Sequence, residues 1–121
     1  MNEIQLYSII KPMLIKQGFI VQRFEQEHIP DVYCFNIHKI LWIELKCSHS
    51  KNEEGLICPH WRIGQLAWIK RHQSLLGDFS VALCFWYKID YAFLVPKEGY
   101  KEEEIETTFK EDLHGFTKFI R

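Results

Sequence analysis

The sequence predicts an α/β domain in which a central sheet of about five strands is flanked by helices. Five short segments are rich in β-branched and aromatic residues and are bounded by turn residues, which is typical of strands. Two other segments repeat apolar residues at helical spacing, one before the first strand and one between the third and fourth strands. The predicted order is α-β-β-β-α-β-β, followed by a helical C-terminal tail.

The first helix is predicted over residues 4 to 17, with Asn2 as its N-cap and Gly18 at its end. Pro12 lies inside this helical pattern. Because proline has no N–H and its ring clashes with the preceding turn, we expect a kink or a break near Lys11. The predicted inward-facing residues are Leu6, Ile9, Ile10, Met13 and Leu14.

The first three strands are predicted over residues 19–26, 31–35 and 40–47, and residues 36–39 form a short connection between the last two. The next segment, residues 49–59, is polar and contains Gly55 and Pro59, so we expect a flexible loop.

The second helix is expected to begin at residue 60 or 61 and to end at Leu76, with Gly77 terminating it. Its predicted inward positions are Ile63, Leu66, Ala67, Ile69 or Lys70, and Gln73. Residues 80–87 and 91–96 then form a hairpin. Residues 81–86 are apolar at nearly every position, which indicates a strand covered on both faces.

The C-terminal tail begins with a charged run, residues 101–106, that we interpret as a solvated helical turn. An amphipathic segment follows, and we expect it to dock on the core or on a second subunit. Its apolar residues are Phe109, Leu113, Phe116, Phe119 and Ile120.

The 121 residues predict one domain, with a core over about residues 3–96 and a tail over residues 97–121. With 47% apolar and 15% aromatic residues the composition is that of a folded protein. No apolar run approaches the roughly 20 residues that cross a bilayer, and no signal peptide is evident. We therefore expect a soluble intracellular protein without membrane association.

The cysteines lie mostly in apolar runs, where a free thiol acts as a small hydrophobe. One alternative is a zinc site formed by Cys47, His49, Cys58 and His60. Its one-residue spacing within each pair fits structural zinc sites poorly, so packing thiols and surface histidines are the preferred interpretation.

The candidate catalytic residues lie where the predicted second and third strands meet. Pro30-Asp31 opens one apolar run and Glu44-Leu45-Lys46 closes the next. Because side chains alternate between the faces of a strand, Glu44 and Lys46 project together. If the two strands pair as a hairpin, two carboxylates and one amine converge at one sheet edge. This set suits a hard divalent cation and a water held for attack on a phosphate.

These residues resemble the motif of the PD-(D/E)XK nuclease superfamily, with Gln65 in the downstream helix as the further matching residue. Within it, the chain is most similar to the small VRR-NUC and Holliday-junction-resolvase-like enzymes of phages and their hosts. The resemblance covers roughly residues 3–96. It implies a restriction-endonuclease-like core, with a mixed central sheet flanked by helices.

The resemblance also implies roles for individual residues. Asp31, Glu44 and the backbone carbonyl of Leu45 would hold Mg²⁺, with Mn²⁺ as a substitute. Lys46 would orient or deprotonate the attacking water, or offset phosphate charge. Gln65 would position water or phosphate. A further acid is expected at Glu3, and Glu25 and Glu27 are ranked below it.

Residues 1–97 carry 11 basic and 9 acidic residues, a net charge of +2, whereas residues 98–121 carry 4 and 7, a net charge of −3. Positive charge near the motif suits phosphate contacts. The candidate DNA-binding residues are Arg62, Lys70, Arg71, His60 and Lys51. Tyr33 and Trp42 share the face of the acids, where they either stack on a base or pack under a helix.

The function predicted from the sequence is a Mg²⁺-dependent DNA endonuclease, with Holliday junctions or other branched DNA as the expected substrates. The resemblance implies that it acts in the cytosol of a bacterium or of a phage-infected host. Cutting both strands needs two sites, so a homodimer is expected, with the apolar tail as the candidate contact. The alternatives are a catalytically inactive nucleic-acid-binding or assembly module that kept the fold, and an RNA nuclease.

Overall fold

The computed structural model describes residues 1–25 and 29–121. It contains three α-helices, seven strands and two short 3₁₀ segments. In chain order they are α1 Glu3–Lys16, β1 Ile20–Arg23, β2 Val32–Phe35, β3 Ile40–Lys46, β4 His49–Lys51, β5 Ile57–Pro59, α2 Gln65–Leu76, a 3₁₀ turn Asp78–Ser80, β6 Val81–Tyr87, β7 Asp90–Leu94, α3 Glu102–Phe109, and a final 3₁₀ segment Asp112–Phe119.

The main sheet has five strands in the order β1-β2-β3-β6-β7. The pairing of β3 with β6 is parallel, whereas the other three pairings are antiparallel. The crossover from β3 to β6 contains α2, as a parallel connection requires. The predicted α/β class, with a mixed five-stranded sheet flanked by helices, is therefore confirmed.

The pairing of β2 with β3 determines where the acids lie. Val32 is opposite Ile43 and Tyr33 is opposite Trp42, so Asp31 comes beside Glu44 one position beyond the last pair. The odd-numbered side chains of β3 are buried against α1 and belong to the first core cluster. Glu44 and Lys46 therefore lie on the opposite face, toward α2.

Two apolar clusters hold the sheet. The first joins α1 to one face, with Leu6, Ile10 and Leu14 packed on the odd-numbered side chains of β3. The second lies between the other part of the sheet and α3 and includes Phe85 and Ile105. The strand β6 is buried along almost all its length, as its uniformly apolar sequence predicts.

Helix α1 does not end at Pro12. The helix runs continuously from Glu3 to Lys16, so of the predicted kink or break near Lys11 the break does not occur. Burial of Leu6 and Leu14 on either side of the proline anchors both halves to the same face of the sheet, which offsets the one hydrogen bond that the proline removes. The capping box of Asn2 and Gln5 begins the helix as expected.

The expected flexible loop at residues 49–59 is also wrong, because this segment forms the hairpin of β4 and β5. Backbone hydrogen bonds between Ile57 and Tyr100 tie the hairpin to the C-terminal part of the chain. Helix α2 begins at Gln65, after Gly64 in a left-handed conformation with φ of 88°. Ile63, predicted to face inward, thus precedes the helix and is 93% exposed.

The tail packs on its own chain. Phe116 and Phe119 are fully buried in the first cluster, and Phe109 packs against the second. These aromatic residues are therefore not free to form the subunit contact proposed for them above. Strand β1 is shorter than predicted, and the predicted end of that strand at residue 26 lies outside the described residues. No described helix has the length and hydropathy needed to span a membrane.

Candidate active site

Three carboxylates converge at the end of the main sheet. Glu44 comes from β3, Asp31 immediately precedes β2, and Glu3 is the first residue of α1. One oxygen atom from each side chain lies within 4.8 Å of the others. The structure thus brings together the two acids of the strand pair and the helix acid, and Glu44 is almost completely buried, with 1% exposure.

The cluster carries an electrostatic penalty. Burial, hydrogen bonding to Asp31 and repulsion from its charge raise the pKa of Glu44 to about 9, despite the opposing charge of Lys46. Burial and the Asp31 charge also raise the pKa of Glu3. Carboxylates crowded in this way repel one another when ionised, and a bound cation relieves that repulsion.

Lys46 and Gln65 form the second part of the site. Lys46 Nζ donates a hydrogen bond of 2.8 Å to Gln65 Oε1, and Gln65 Nε2 donates to Glu44 Oε2. Both side chains are buried, Lys46 with 6% and Gln65 with 3% exposure. Gln65 therefore connects the lysine to the carboxylate cluster, and the same oxygen accepts a hydrogen bond from the Arg62 amide, at the turn before α2.

The backbone of Leu45 also reaches the cluster. Its N–H donates to Asp31 Oδ2 at 3.1 Å and to Glu44 Oε1 at 3.2 Å, while its side chain is buried in the first core cluster. Asp31 thus takes the backbone hydrogen bond that a longer β2 would have formed at this position. This bond fixes the aspartate beside β3.

A cleft of about 450 Å³ opens beside the acids. Its lining combines carboxylates, two arginines and apolar side chains: Asn2, Glu3, Ile4, Arg23, Phe24, Glu25, Asp31 and Arg62. The lower-ranked candidate Glu25 is thus at the cleft, but its side chain is 81% exposed and it is not part of the carboxylate cluster. Glu27, the other lower-ranked acid, lies outside the described residues.

The candidate DNA-binding residues differ in whether they line the cleft. Arg62 lines the cleft. His60, Lys70 and Arg71 are exposed near or on α2, and Lys51 is exposed on β4, but none of these four lines the cleft. The structure therefore singles out Arg62 as the basic residue of this set that is adjacent to the acids.

Sequence reasoning did not single out two residues near the site, Arg23 and Trp61. Arg23 lines the cleft, and its Nε atom is buried without a hydrogen-bond partner among the described residues. The Lys46 ammonium lies over the Trp61 ring, 5.5 Å from its centroid. Neither residue belongs to a short motif, so only the spatial arrangement of β1 and of the turn before α2 reveals them.

Tyr33 and Trp42 share the face of the acids, as their strand positions predict. Their ring centroids are 4.8 Å apart, and Trp42 packs edge-on against Trp68 of α2. The predicted alternative in which they pack under a helix thus describes Trp42. The zinc alternative has no geometric support, because within residues 1–25 and 29–121 the group arranged to hold a metal is Glu3, Asp31 and Glu44.

Known proteins include a distant structural neighbour of this chain. No protein-family model matches the chain, and no curated protein sequence matches it. Among solved structures, the chain is similar to Hjc, a Holliday junction resolvase from the archaeal hyperthermophile Archaeoglobus fulgidus. The identity is 17% and the TM-score 0.43, over 77% of this chain and 82% of that chain. With a likeness this distant, the assignment of the site rests on its own side-chain geometry.

Proposed function

We propose that the chain is a Mg²⁺-dependent DNA endonuclease of the PD-(D/E)XK type, in which one domain over residues 1–121 hydrolyses phosphodiester bonds. The observation that carries the proposal is the convergence of Glu3, Asp31 and Glu44 beside a buried lysine. Three carboxylates and an amine in one place are the groups needed to bind a hard cation and a phosphate.

The donor set fits Mg²⁺. All three side chains offer oxygen, the ligand that this ion prefers, and the crowding that raises the pKa of Glu44 is relieved by a cation. The Leu45 carbonyl is a fourth candidate ligand. Both main-chain groups of a strand residue point toward the same neighbouring strand, and the Leu45 N–H points toward Asp31. A bound Mg²⁺ supplies polarisation of the phosphate and activation of the attacking water.

The remaining chemistry belongs to the side chains. Lys46 donates its hydrogen bond to Gln65, beside the carboxylates. From this position it would stabilise the negative charge that develops on the phosphate, or orient or deprotonate the attacking water. Gln65 holds Lys46 and Glu44 at a constant separation, and Arg62 at the cleft binds a neighbouring phosphate.

Branched DNA is the proposed substrate class, and cleavage assays decide it. Supercoiled, linear and four-way-junction DNA are incubated with the protein in Mg²⁺, in Mn²⁺ or in chelator. We expect metal-dependent cutting that is strongest on the junction. Lys46→Ala and Glu44→Gln abolish it, whereas Lys16→Ala, at the exposed far end of α1, leaves it unchanged. Binding without cutting would replace this proposal with the inactive binding module, and cutting of RNA alone would replace the substrate.

We further propose that two copies act together, because one chain carries one site and a duplex has two strands. With Phe116 and Phe119 buried, the contact is assigned to a different surface, at the end of the sheet opposite the acids. There the turn between β2 and β3, the first residue of β3, the end of α2 and the 3₁₀ turn after it expose five large apolar side chains: Ile37, Ile40, Leu75, Leu76 and Phe79. Exposed apolar groups of this size favour association.

Analytical ultracentrifugation tests this contact. We expect a dimer that Leu76→Lys dissociates, whereas the control Ile89→Lys, at another exposed apolar residue in the turn between β6 and β7, does not affect it. A wild-type monomer at all concentrations would contradict the proposal.

A further inference from the structure

The surroundings of the Lys46 ammonium are unusual for a buried lysine. Among the described residues it forms no ion pair, and its one hydrogen bond is donated to the neutral amide of Gln65. The Trp61 ring also lies against it, with the ring centroid 5.5 Å from Nζ. The negative face of an indole attracts a cation at this distance. Of the three ammonium hydrogens, one is used by Gln65, which leaves donors for a phosphate or a water.

Trp61 is itself held in place. Its Nε1 donates a hydrogen bond of 3.1 Å to the backbone carbonyl of Lys97, and its ring packs against the second apolar cluster. The backbone N–H of Trp61 also bonds to the Pro59 carbonyl, at the end of β5. The hydrogen bond from Nε1 and the apolar packing together hold the indole in one position beside Lys46.

The Lys97 carbonyl lies in a turn that Tyr100 holds in place. The Tyr100 hydroxyl accepts a hydrogen bond from the Lys97 N–H at 3.0 Å and donates one to the Val95 carbonyl at 2.6 Å. Tyr100 is buried, and its backbone pairs with Ile57 of β5. The turn at residues 95–100 therefore connects the start of the C-terminal segment to the position of Trp61.

We propose that Trp61 is a positioning residue for Lys46, which it holds by a cation–π contact so that Lys46 has one orientation toward the substrate phosphate. This inference rests on the proposed nuclease function for its chemical purpose. The contact itself is a property of the folded chain. Gln65 fixes the ammonium from one side and Trp61 from another, and together they restrict a side chain that otherwise has four rotatable bonds.

The contact is tested without any reaction, by the ¹⁵N and ¹H resonances of the Lys46 ammonium, which are assigned by their loss in Lys46→Met. We expect an observable, slowly exchanging ammonium in the wild type and in Trp61→Phe, which keeps an aromatic face. In Trp61→Leu we expect the signal to broaden or disappear. Trp86→Leu is the matched control at a tryptophan that packs against the first cluster instead. An unchanged signal in Trp61→Leu would overturn the inference.

The steady-state kinetics of DNA cleavage test the positioning role. Trp61→Leu is expected to lower kcat on the junction substrate roughly tenfold, between the effects of an exposed and of a desolvated cation–π contact, while KM stays near the wild-type value. Trp61→Phe restores most of kcat. A drop in kcat that is the same for Trp61→Leu and Trp61→Phe would overturn the role.

If the wild type cuts no nucleic acid, the proposed function fails, and the ammonium signal still decides the Trp61 contact. Should Trp61→Leu not fold, Tyr100→Phe, which loosens the turn that anchors Trp61, is expected to weaken the signal.

Discussion

Lys46 and Gln65 meet through a hydrogen bond of 2.8 Å in which the ammonium is the donor, and the same amide donates from its other end to Glu44. A glutamine suits this place because it has one accepting end and one donating end. A carboxylate here would repel Glu44, and an aliphatic side chain would leave Lys46 Nζ and Glu44 Oε2 without the hydrogen bonds that Gln65 forms with them. The identity of residue 65 is therefore tied to both partners.

The first prediction concerns this bridge. Gln65→Ala is expected to lower kcat by about 10- to 100-fold, because each hydrogen bond to a charged group contributes about 1.5–3 kcal/mol and 1.4 kcal/mol is tenfold in rate. Gln65→Glu is expected to cause a larger loss, since its charge adds to that of Glu44. Gln73→Ala, on the same helix but bonded to the Asp78 carbonyl, serves as the control in steady-state kinetics. Equal activity of Gln65→Ala and wild type would contradict the assigned role.

The second prediction concerns the metal-free protein. The folded-state pKa of Glu44 is raised from its ordinary value of 4.5 to about 9. A raised carboxyl pKa means that the folded state binds more protons, so the contribution of Glu44 to stability is present below pH 4.5 and is lost as pH rises toward 9. In chelator, the melting temperature of Glu44→Gln relative to wild type should therefore increase over this range.

Mg²⁺ should reduce that difference, because a ligand that binds the folded state stabilises it. Thermal unfolding of both proteins at pH 5, 7 and 9, with chelator and with Mg²⁺, measures the effect. The prediction is wrong if the difference in melting temperature between the two proteins does not change with pH.

The third prediction concerns Glu102 at the start of α3. Hydrogen bonds from Lys88 and Tyr87 lower the pKa of this carboxyl to about 2. A lowered pKa gives a contribution to stability that is present above pH 4.5 and is lost as pH falls toward 2. We expect Glu102→Gln to be less stable than wild type at pH 6 and to approach it near pH 2.5. Glu103→Gln, exposed on the same helical turn, is the control, and urea unfolding at each pH is the measurement.

The fourth prediction concerns Gly115 in the final 3₁₀ segment. Its φ is +87°, and an added Cβ would lie 2.5 Å from Thr108 Cγ2 and 2.9 Å from the Phe93 carbonyl oxygen. Gly18 has a similar φ of +90° but has open space around it. Gly18→Ala thus carries the backbone strain alone, about 1–3 kcal/mol. Gly115→Ala should cost more, because the clash adds to that strain, and urea unfolding gives both values. Equal losses of unfolding free energy in Gly18→Ala and Gly115→Ala would show that the final 3₁₀ segment shifts and relieves the clash.

The fifth prediction compares basic residues. Arg62→Ala is expected to weaken binding to DNA about tenfold and to reduce the slope of log K against log salt by about one, because it removes one phosphate contact. Arg71→Ala should have a smaller effect, since Arg71 is exposed on α2 but does not line the cleft. Fluorescence anisotropy over a salt series, in chelator to prevent cutting, measures both. If Arg71→Ala weakened DNA binding more than Arg62→Ala, the DNA interface would lie on α2 rather than at the cleft.

Much of the sheet follows from the sequence because strand periodicity is local information. The alternation along β3 placed Glu44 and Lys46 on one face, and the short connection after β2 brought Asp31 to their edge. The uniformly apolar β6 was likewise readable as a strand covered on both faces. These features depend on neighbours a few residues away, whose side-chain directions the backbone geometry dictates.

Other features depend on contacts between distant parts of the chain. The β4–β5 hairpin is held by backbone hydrogen bonds and by burial of Ile57 in the second cluster, and Ile57 pairs with Tyr100 some forty residues away. Glu3 reaches the acids because α1 packs across the sheet, and the contact of Trp61 with Lys46 depends on a carbonyl at Lys97. The sequence alone thus determined the two strand acids and the lysine, through the alternation of side chains. Glu3 was expected as the third acid only from the family resemblance. Tertiary packing placed it beside Asp31 and Glu44 and placed Trp61 against Lys46, since these residues are far apart in the chain.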